Sequence, residues 1–207
     1  MKKKVSIVDY DQGNIVHIVR ACENVGFKVS IATTEKDILN SDKLILPGVG
    51  RFGTAIKNLK HSKLDISLKK IIQKQIPILG ICLGFQILFE MSKEDENTQG
   101  LAILKGKFLK FSRKETDKVL QIQWNKIQLN NKSVLLKTVK ENDFFYFNHS
   151  YFLDEHTVEK ESIRARVNYN NITFPCVVEK DNIFGTQFHP EKSGKKGLKI
   201  LDNFKNI

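Results

Sequence analysis

Cys82 sits in Gly80-Ile81-Cys82-Leu83-Gly84, and His189 is separated from Glu191 by a single proline. These residue types suit acyl transfer. A thiol attacks a carbonyl carbon, an imidazole moves the proton, and a carboxylate keeps the imidazole in one tautomer. Residues two apart in extended chain leave the same face, so Glu191 can hold the His189 ring. Each has a plainer reading alone: a small core thiol, a core or surface histidine, a solvated loop carboxylate. Together they describe a nucleophile, a base and an orienting acid.

The surrounding elements must aim the thiol. Pro77-Ile78-Leu79 reads as a buried strand, and the apolar run from Phe85 to Met91 as a helix beyond a sharp turn. Glycines two before and two after Cys82 permit a strained turn that projects the thiol at the strand's carboxyl end. The helix N-terminus there favours thiolate. An acyl-transferring thiol also needs an oxyanion hole. The Leu83 amide is one candidate donor, and Pro47-Gly48-Val49-Gly50 offers others at Val49 and Gly50. That loop reads equally well as a plain strand-ending turn.

Upstream, strand and helix patterns alternate. Val5 to Val8, Lys28 to Ala32 and Leu44 to Leu46 read as strands. Ile15, Ile18, Cys22 and Val25 recur at helical spacing, Ala55, Ile56 and Leu59 suggest a second helix, and Leu64, Ile66, Leu68, Ile71 and Ile72 another. Thr33 to Asn40 is a short polar helix or loop. Alternation of this kind implies a parallel sheet with right-handed crossovers. After the polar stretch Ser92 to Gly100, short strand-like runs dominate, with hairpin signals at Asn130-Asn131 and Asn170-Asn171. Leu198, Ile200, Leu201 and Phe204 close the chain as an amphipathic helix. The expected fold is α/β: a mixed, mostly parallel central sheet flanked by helices, with an added antiparallel β layer in the C-terminal half. No repeat or linker divides residues 1–207, so one domain is expected.

Composition narrows the function. The formal net charge is +11, but only five of the 34 basic residues are arginine (Arg20, Arg51, Arg113, Arg164, Arg166), and the lysines are scattered. Nucleic-acid readers favour clustered arginine forks, so a lysine-rich solvated surface is the simpler account. A basic patch around Lys192, Lys195 and Lys196 could meet a phosphate or an acidic partner. The apolar run after Lys2-Lys3-Lys4 stops at Asp9 and Asp11, so no signal peptide is expected, and no stretch approaches membrane-spanning length. Three widely spaced cysteines argue for a reducing cytoplasm, and no Cys/His cluster suggests a metal.

The Gly80 to Gln86 elbow with a late His-Pro-Glu resembles the triad-type class I glutamine amidotransferases. Within them, Pro47-Gly48-Val49-Gly50-Arg51-Phe52-Gly53, Trp124-Asn125 and Gln187-Phe188-His189-Pro190-Glu191-Lys192-Ser193 resemble the glutaminase subunit of imidazole glycerol phosphate synthase. The resemblance runs from Val8 to Phe204. It implies hydrolysis of L-glutamine with no cofactor: Cys82 attacks the side-chain amide and His189 protonates the departing ammonia. Gln86 matches a glutamine-contacting position. Glu94 is the candidate for the substrate's α-ammonium, and His149, Ser150 and Tyr151 for its carboxylate, by backbone or side chain. Ammonia then passes to a (βα)8-barrel synthase subunit in a heterodimer. Asn14, Trp124, Tyr146 and Lys192 match positions near that interface.

Three stretches depart from the family's pattern. Asp11 replaces a glycine, Leu120-Gln121-Ile122-Gln123 stands where Pro-His-Met-Gly is usual, and Asn148 stands where valine is common. All are expected on the face toward the synthase, which leaves a second reading open: a paralogous glutaminase feeding a sugar amidotransferase of surface polysaccharide synthesis. A cysteine peptidase of the related elbow family fits less well, because there a histidine follows the nucleophile and here Leu83 does. A non-catalytic module with a relic pocket is the third alternative, and the intact triad argues against it.

Overall fold

In a computed structural model of the chain, residues 3–13, 15–112 and 119–207 are described. The first half runs β1 (Lys4–Val8), α1 (Val16–Asn24), β2 (Lys28–Ala32), α2 (Glu35–Leu39), β3 (Leu44–Leu46), α3 (Phe52–His61), α4 (Leu64–Gln73), β4 (Ile78–Ile81) and α5 (Leu83–Gln86). The second half contributes β5 (Met91–Ser92), β6 (Lys107–Lys110), β7 (Gln121–Leu129), β8 (Phe144–His149) and β9 (Tyr151–Leu153). It ends with β10 (Ile163–Tyr169), β11 (Ile172–Lys180), β12 (Ile183–Thr186) and α6 (Gly194–Asn206).

The main sheet has the order β2-β1-β3-β4-β12-β11-β10-β7-β8. Strands β2 to β12 in that order are mutually parallel; from β12 onward the pairs are antiparallel. The antiparallel strands therefore prolong the same sheet, and a second small sheet, β5-β6-β9, shares no strand with it. Val5 and Ile7 pack with α1 and α6 on one face, while Val8 packs with α2, α3 and α4 on the other. Both faces of the parallel half are thus covered, as such sheets require. The helices bury the spacing that the sequence announces: Ile18, Ala21 and Cys22 on α1, Phe52, Ala55, Ile56 and Leu59 on α3. The ambiguous Thr33 to Asn40 segment is helical because Thr34 and Asp37 form a reciprocal cap.

Two expectations change. The helix after Cys82 ends at Gln86 instead of running to Met91. Beyond it the carbonyls of Ile87, Leu88 and Glu90 accept from Leu101, Leu104 and Gly100, which draws the chain out of the helix. Phe85, Phe89 and Phe108 then pack edge to face, with centroids 5.1 to 5.7 Å apart. Asn130-Asn131 is not a hairpin. Both side-chain amides donate to the Ile163 carbonyl, so the pair ties the end of β7 to β10. Asn170-Asn171 is one, with φ of 46° and 70° turning β10 directly into β11.

Strand β4 lies between β3 and β12, with Gly80 level with Leu46 on one side and Gly185 on the other. Three neighbouring parallel strands consequently deliver Pro47, Cys82 and the Gln187 to His189 segment to one edge of the sheet. Ligand sites of open α/β sheets lie at such carboxyl ends.

Candidate active site

Cys82 caps α5 with φ 52° and ψ −107°, so the strain of the elbow sits on the cysteine itself. Its amide donates to the Thr186 carbonyl at 2.8 Å, locking the turn to β12. Gly84 is required by close approach: a Cβ there would lie 1.7 Å from the Leu46 carbonyl oxygen. The thiol is 5% exposed. Its sulfur lies 3.8 Å from the Asn148 carbonyl and 3.8 Å from Gln187 Nε2. With four residues, α5 supplies only one turn of dipole, so these nearby groups carry more of the local field.

His189 and Glu191 follow β12 through a 3-10 turn, Pro190–Lys192. The His189 amide donates to the Tyr146 carbonyl at 2.9 Å, and Ser193 Oγ donates to the His189 carbonyl at 2.6 Å. Nδ1 meets Glu191 Oε1 at 2.8 Å, so Nδ1 carries the proton there and Nε2 is left for the reacting side. Burial opposes charge on this ring. The negative charges of Cys82 and Glu191 outweigh it and push the imidazole up to about 10.

Cys82 opens on a cavity of about 230 Å³, lined also by Val49, Gly50, Leu83, Gln86, Glu94, Leu120 and the stretch Asn148 to Tyr151. Gln86 Nε2 donates to Gln187 Oε1 at 3.3 Å and lies 3.4 Å from the Tyr151 carbonyl. Glu94 is half-buried, and one carboxylate oxygen accepts from the Phe52 amide at 2.7 Å. Burial and the neighbouring Asp95 push its carboxyl up, against the Phe52 N–H. His149 is enclosed by Phe111, Phe147 and Phe174. Burial pushes this imidazole down to about 3. Its Nδ1 lies 2.8 Å from the Tyr151 carbonyl, which can only accept, so the neutral ring leaves Nε2 without a proton. The His149 side chain therefore has no donor for a carboxylate, and only main-chain donors of this stretch and the Ser150 and Tyr151 side chains fit that task.

The candidate oxyanion donors are not aligned in this conformation. The Leu83 amide donates to the Gly48 carbonyl at 3.4 Å. In a trans peptide the Val49 N–H points opposite to that carbonyl. Gly50, with φ 114°, is the hinge-like residue beside it. Val49 also lines a smaller cavity of about 80 Å³ behind the segment, with Gln12, Gly13, His189 and Glu191.

Of the interface positions, Asn14 lies outside the described residues. Trp124 is 49% exposed and meets Tyr146 edge to face at 6.0 Å, and Tyr146 lies 6.4 Å from the His189 ring. Lys192 is exposed beside them. Leu120, Ile122 and Phe144 are exposed too, so the β7–β8 edge carries an apolar surface around Trp124. The departures divide. Asp11 takes a left-handed turn, at φ 59°, which aspartate tolerates. Leu120, Ile122 and Gln123 do face outward. Gln121 does not: it is fully buried, directly opposite His149 in the β7–β8 ladder. Asn148 lines the cavity that opens on Cys82.

Gln187 has no role in the sequence reading, yet it links Gln86 to the sulfur. Its only sequence signal is its place two residues before the histidine. No group of three or more metal-ligating side chains occurs among the described residues, and none of their helices is long and apolar enough to cross a membrane.

A family model described as glutamine amidotransferase class-I matches residues 6–207. The imidazole glycerol phosphate synthase subunit HisH of Methanocaldococcus jannaschii is 44% identical, covering 97% of each chain. HisH 1 of Methanococcus maripaludis is 41% identical over 97% of this chain and 98% of its own. Among solved structures, PurLQS from Thermotoga maritima superposes with a TM-score of 0.79 at 22% identity, covering 100% of this chain and 99% of that one, which speaks to fold alone. The chain belongs to the class-I glutamine amidotransferases and, within them, to the HisH family.

Proposed function

We propose that this chain is the glutaminase subunit of imidazole glycerol phosphate synthase in histidine biosynthesis, acting as one domain over residues 1–207 in the cytoplasm. The observation that carries the chemistry is the meeting of two strand ends: Cys82 after β4, and His189 held by Glu191 at 2.8 Å after β12. The HisH relatives support the pathway over sugar amidination.

The Cys82 thiolate attacks the side-chain carbonyl carbon of L-glutamine. His189, charged at the outset, gives its Nε2 proton to the amide nitrogen as the C–N bond breaks, releasing ammonia and leaving a thioester. The same imidazole then takes a proton from water, which attacks the thioester and frees glutamate and the thiol. Gln86 and Glu94 orient the substrate, Glu94 offering its unoccupied oxygen to the α-ammonium. The tetrahedral oxyanion takes the Leu83 N–H, and the Gly48–Val49 peptide rotates to add the Val49 N–H. Ammonia then crosses to a (βα)8-barrel synthase subunit docked on the apolar surface around Trp124.

The test uses the complex. Cys82→Ala lowers glutamine-dependent synthesis on the order of 10⁶-fold, as loss of a triad nucleophile does, and leaves synthesis from added ammonia intact. Equal loss of both contradicts the division of labour. Growth of a histidine auxotroph that lacks the subunit, when given this chain, separates the histidine reading from sugar amidination.

A further inference from the structure

Tyr10 lies two residues beyond β1, and its ring is almost wholly buried. Its hydroxyl donates to the Pro47 carbonyl at 2.6 Å, across 37 residues of chain. The same oxygen would lie 2.3 Å from a Cβ at Gly48, whose next neighbours are Leu83 and the Gly84 amide. The phenol therefore stands where the oxyanion segment crosses the start of the nucleophile helix.

We infer that Tyr10 is a positioning residue for glutamine hydrolysis: its hydroxyl pins the Pro47 carbonyl, so that opening of the oxyanion hole is confined to the Gly48–Val49 peptide. The inference rests on the assignment of Cys82 as nucleophile and of residues 47–50 as the oxyanion segment.

The anchor is itself rigid. Asp9 donates its amide to Ala32 in β2, and the Tyr10 carbonyl accepts from Asn58 Nδ2 of α3 at 3.0 Å. The Pro47 ring fixes φ, and the hydrogen bond to its carbonyl fixes ψ, so freedom begins only at Gly48. At the other end Arg51 forks onto Asp95, at 2.7 to 3.1 Å, and Gly53 donates to the same carboxylate at 2.9 Å. That tie is largely solvated and weaker. Between the two ties stand Gly48, Val49 and Gly50, a short span with glycine at both ends. Burial pushes the phenol up, and the charges of Cys82 and Asp9 add to it, so the hydroxyl stays a donor. Without it the whole segment gains alternatives, and fewer of them place the Val49 N–H beside the reacting carbonyl.

Tyr10→Phe keeps the ring and removes only the hydroxyl. In the chain purified with its synthase subunit, kcat for glutamine is expected to fall about 10- to 100-fold, as for a small misplacement of a catalytic group. KM, synthesis from added ammonia and the rate at which iodoacetamide alkylates Cys82 stay unchanged, because none of them uses an oxyanion donor. An unchanged kcat overturns the inference. So does a parallel fall in alkylation, which would place the defect at the thiol. If Tyr10→Phe does not fold, 3-fluorotyrosine at position 10 alters only donor strength and must change kcat at constant KM; no change is likewise fatal. Absence of glutamine turnover by the unsubstituted complex would instead sink the assignment of Cys82, and this inference with it.

Discussion

Gln187 Nε2 stands 3.8 Å from the Cys82 sulfur while its Oε1 accepts a hydrogen bond from Gln86 at 3.3 Å. The side chain is completely buried, so neither contact competes with water. It connects Gln86, proposed to contact substrate, to the sulfur proposed as nucleophile. A donor aimed at sulfur gains strength when the sulfur bears charge, as charge-assisted hydrogen bonds do.

Gln187→Leu preserves much of the volume and deletes both contacts. The expected outcome is a fall in glutamine-dependent kcat of about 10- to 100-fold, somewhat less than removal of a direct oxyanion donor. Steady-state kinetics at saturating glutamine measure it. A rate within twofold of the unsubstituted chain would show that the amide is only packing.

Stability should fall on both sides of the ordinary histidine value. His189 is raised from 6.5 to about 10, so its contribution is fully present below 6.5 and is lost as pH rises toward 10. His149 is lowered from 6.5 to about 3, so its contribution is present above 6.5 and is lost as pH falls toward 3. Urea midpoints across that range should decline less steeply on the alkaline side in Cys82→Ala, which removes a charge that holds His189 protonated. On the acid side His149→Phe should flatten the decline. Slopes identical to the unsubstituted chain would refute the assignment of these two rings.

A glutamine-like electrophile should label Cys82 and no other cysteine. Cys22 and Cys176 are fully buried; burial pushes Cys22 up to about 12 and Cys176 higher still. Neither offers thiolate near neutral pH. Peptide mass spectrometry after partial inactivation reads the site, and one equivalent of label on Cys82 should account for all lost activity. Label on Cys22 would move the chemistry elsewhere.

Much of the site was legible because its signals are local. Gly84 announces a close approach, and the His-Pro-Glu spacing announces a ring held by a carboxylate two residues on. The Asn170-Asn171 turn was legible for the same reason, since left-handed residues in tandem suit a hairpin. Asn130-Asn131 carries the same letters but spends its amides on Ile163, from a strand that no local pattern brings near. The helix after Cys82 is shorter than its apolar run suggests, because those residues answer to Phe108 and to the carbonyl partners at residues 100–104, not to their own periodicity.

The sequence by itself determined which atoms could react and which short segments would turn, because residue type and neighbouring sterics set those. The tertiary structure alone decided that Gln187 would face a sulfur 105 residues away, that Gln121 would point inward beside His149, and that the Leu83 amide would be occupied by Gly48. Each depends on which strands lie side by side, and that order follows from burial of the whole sheet on both faces.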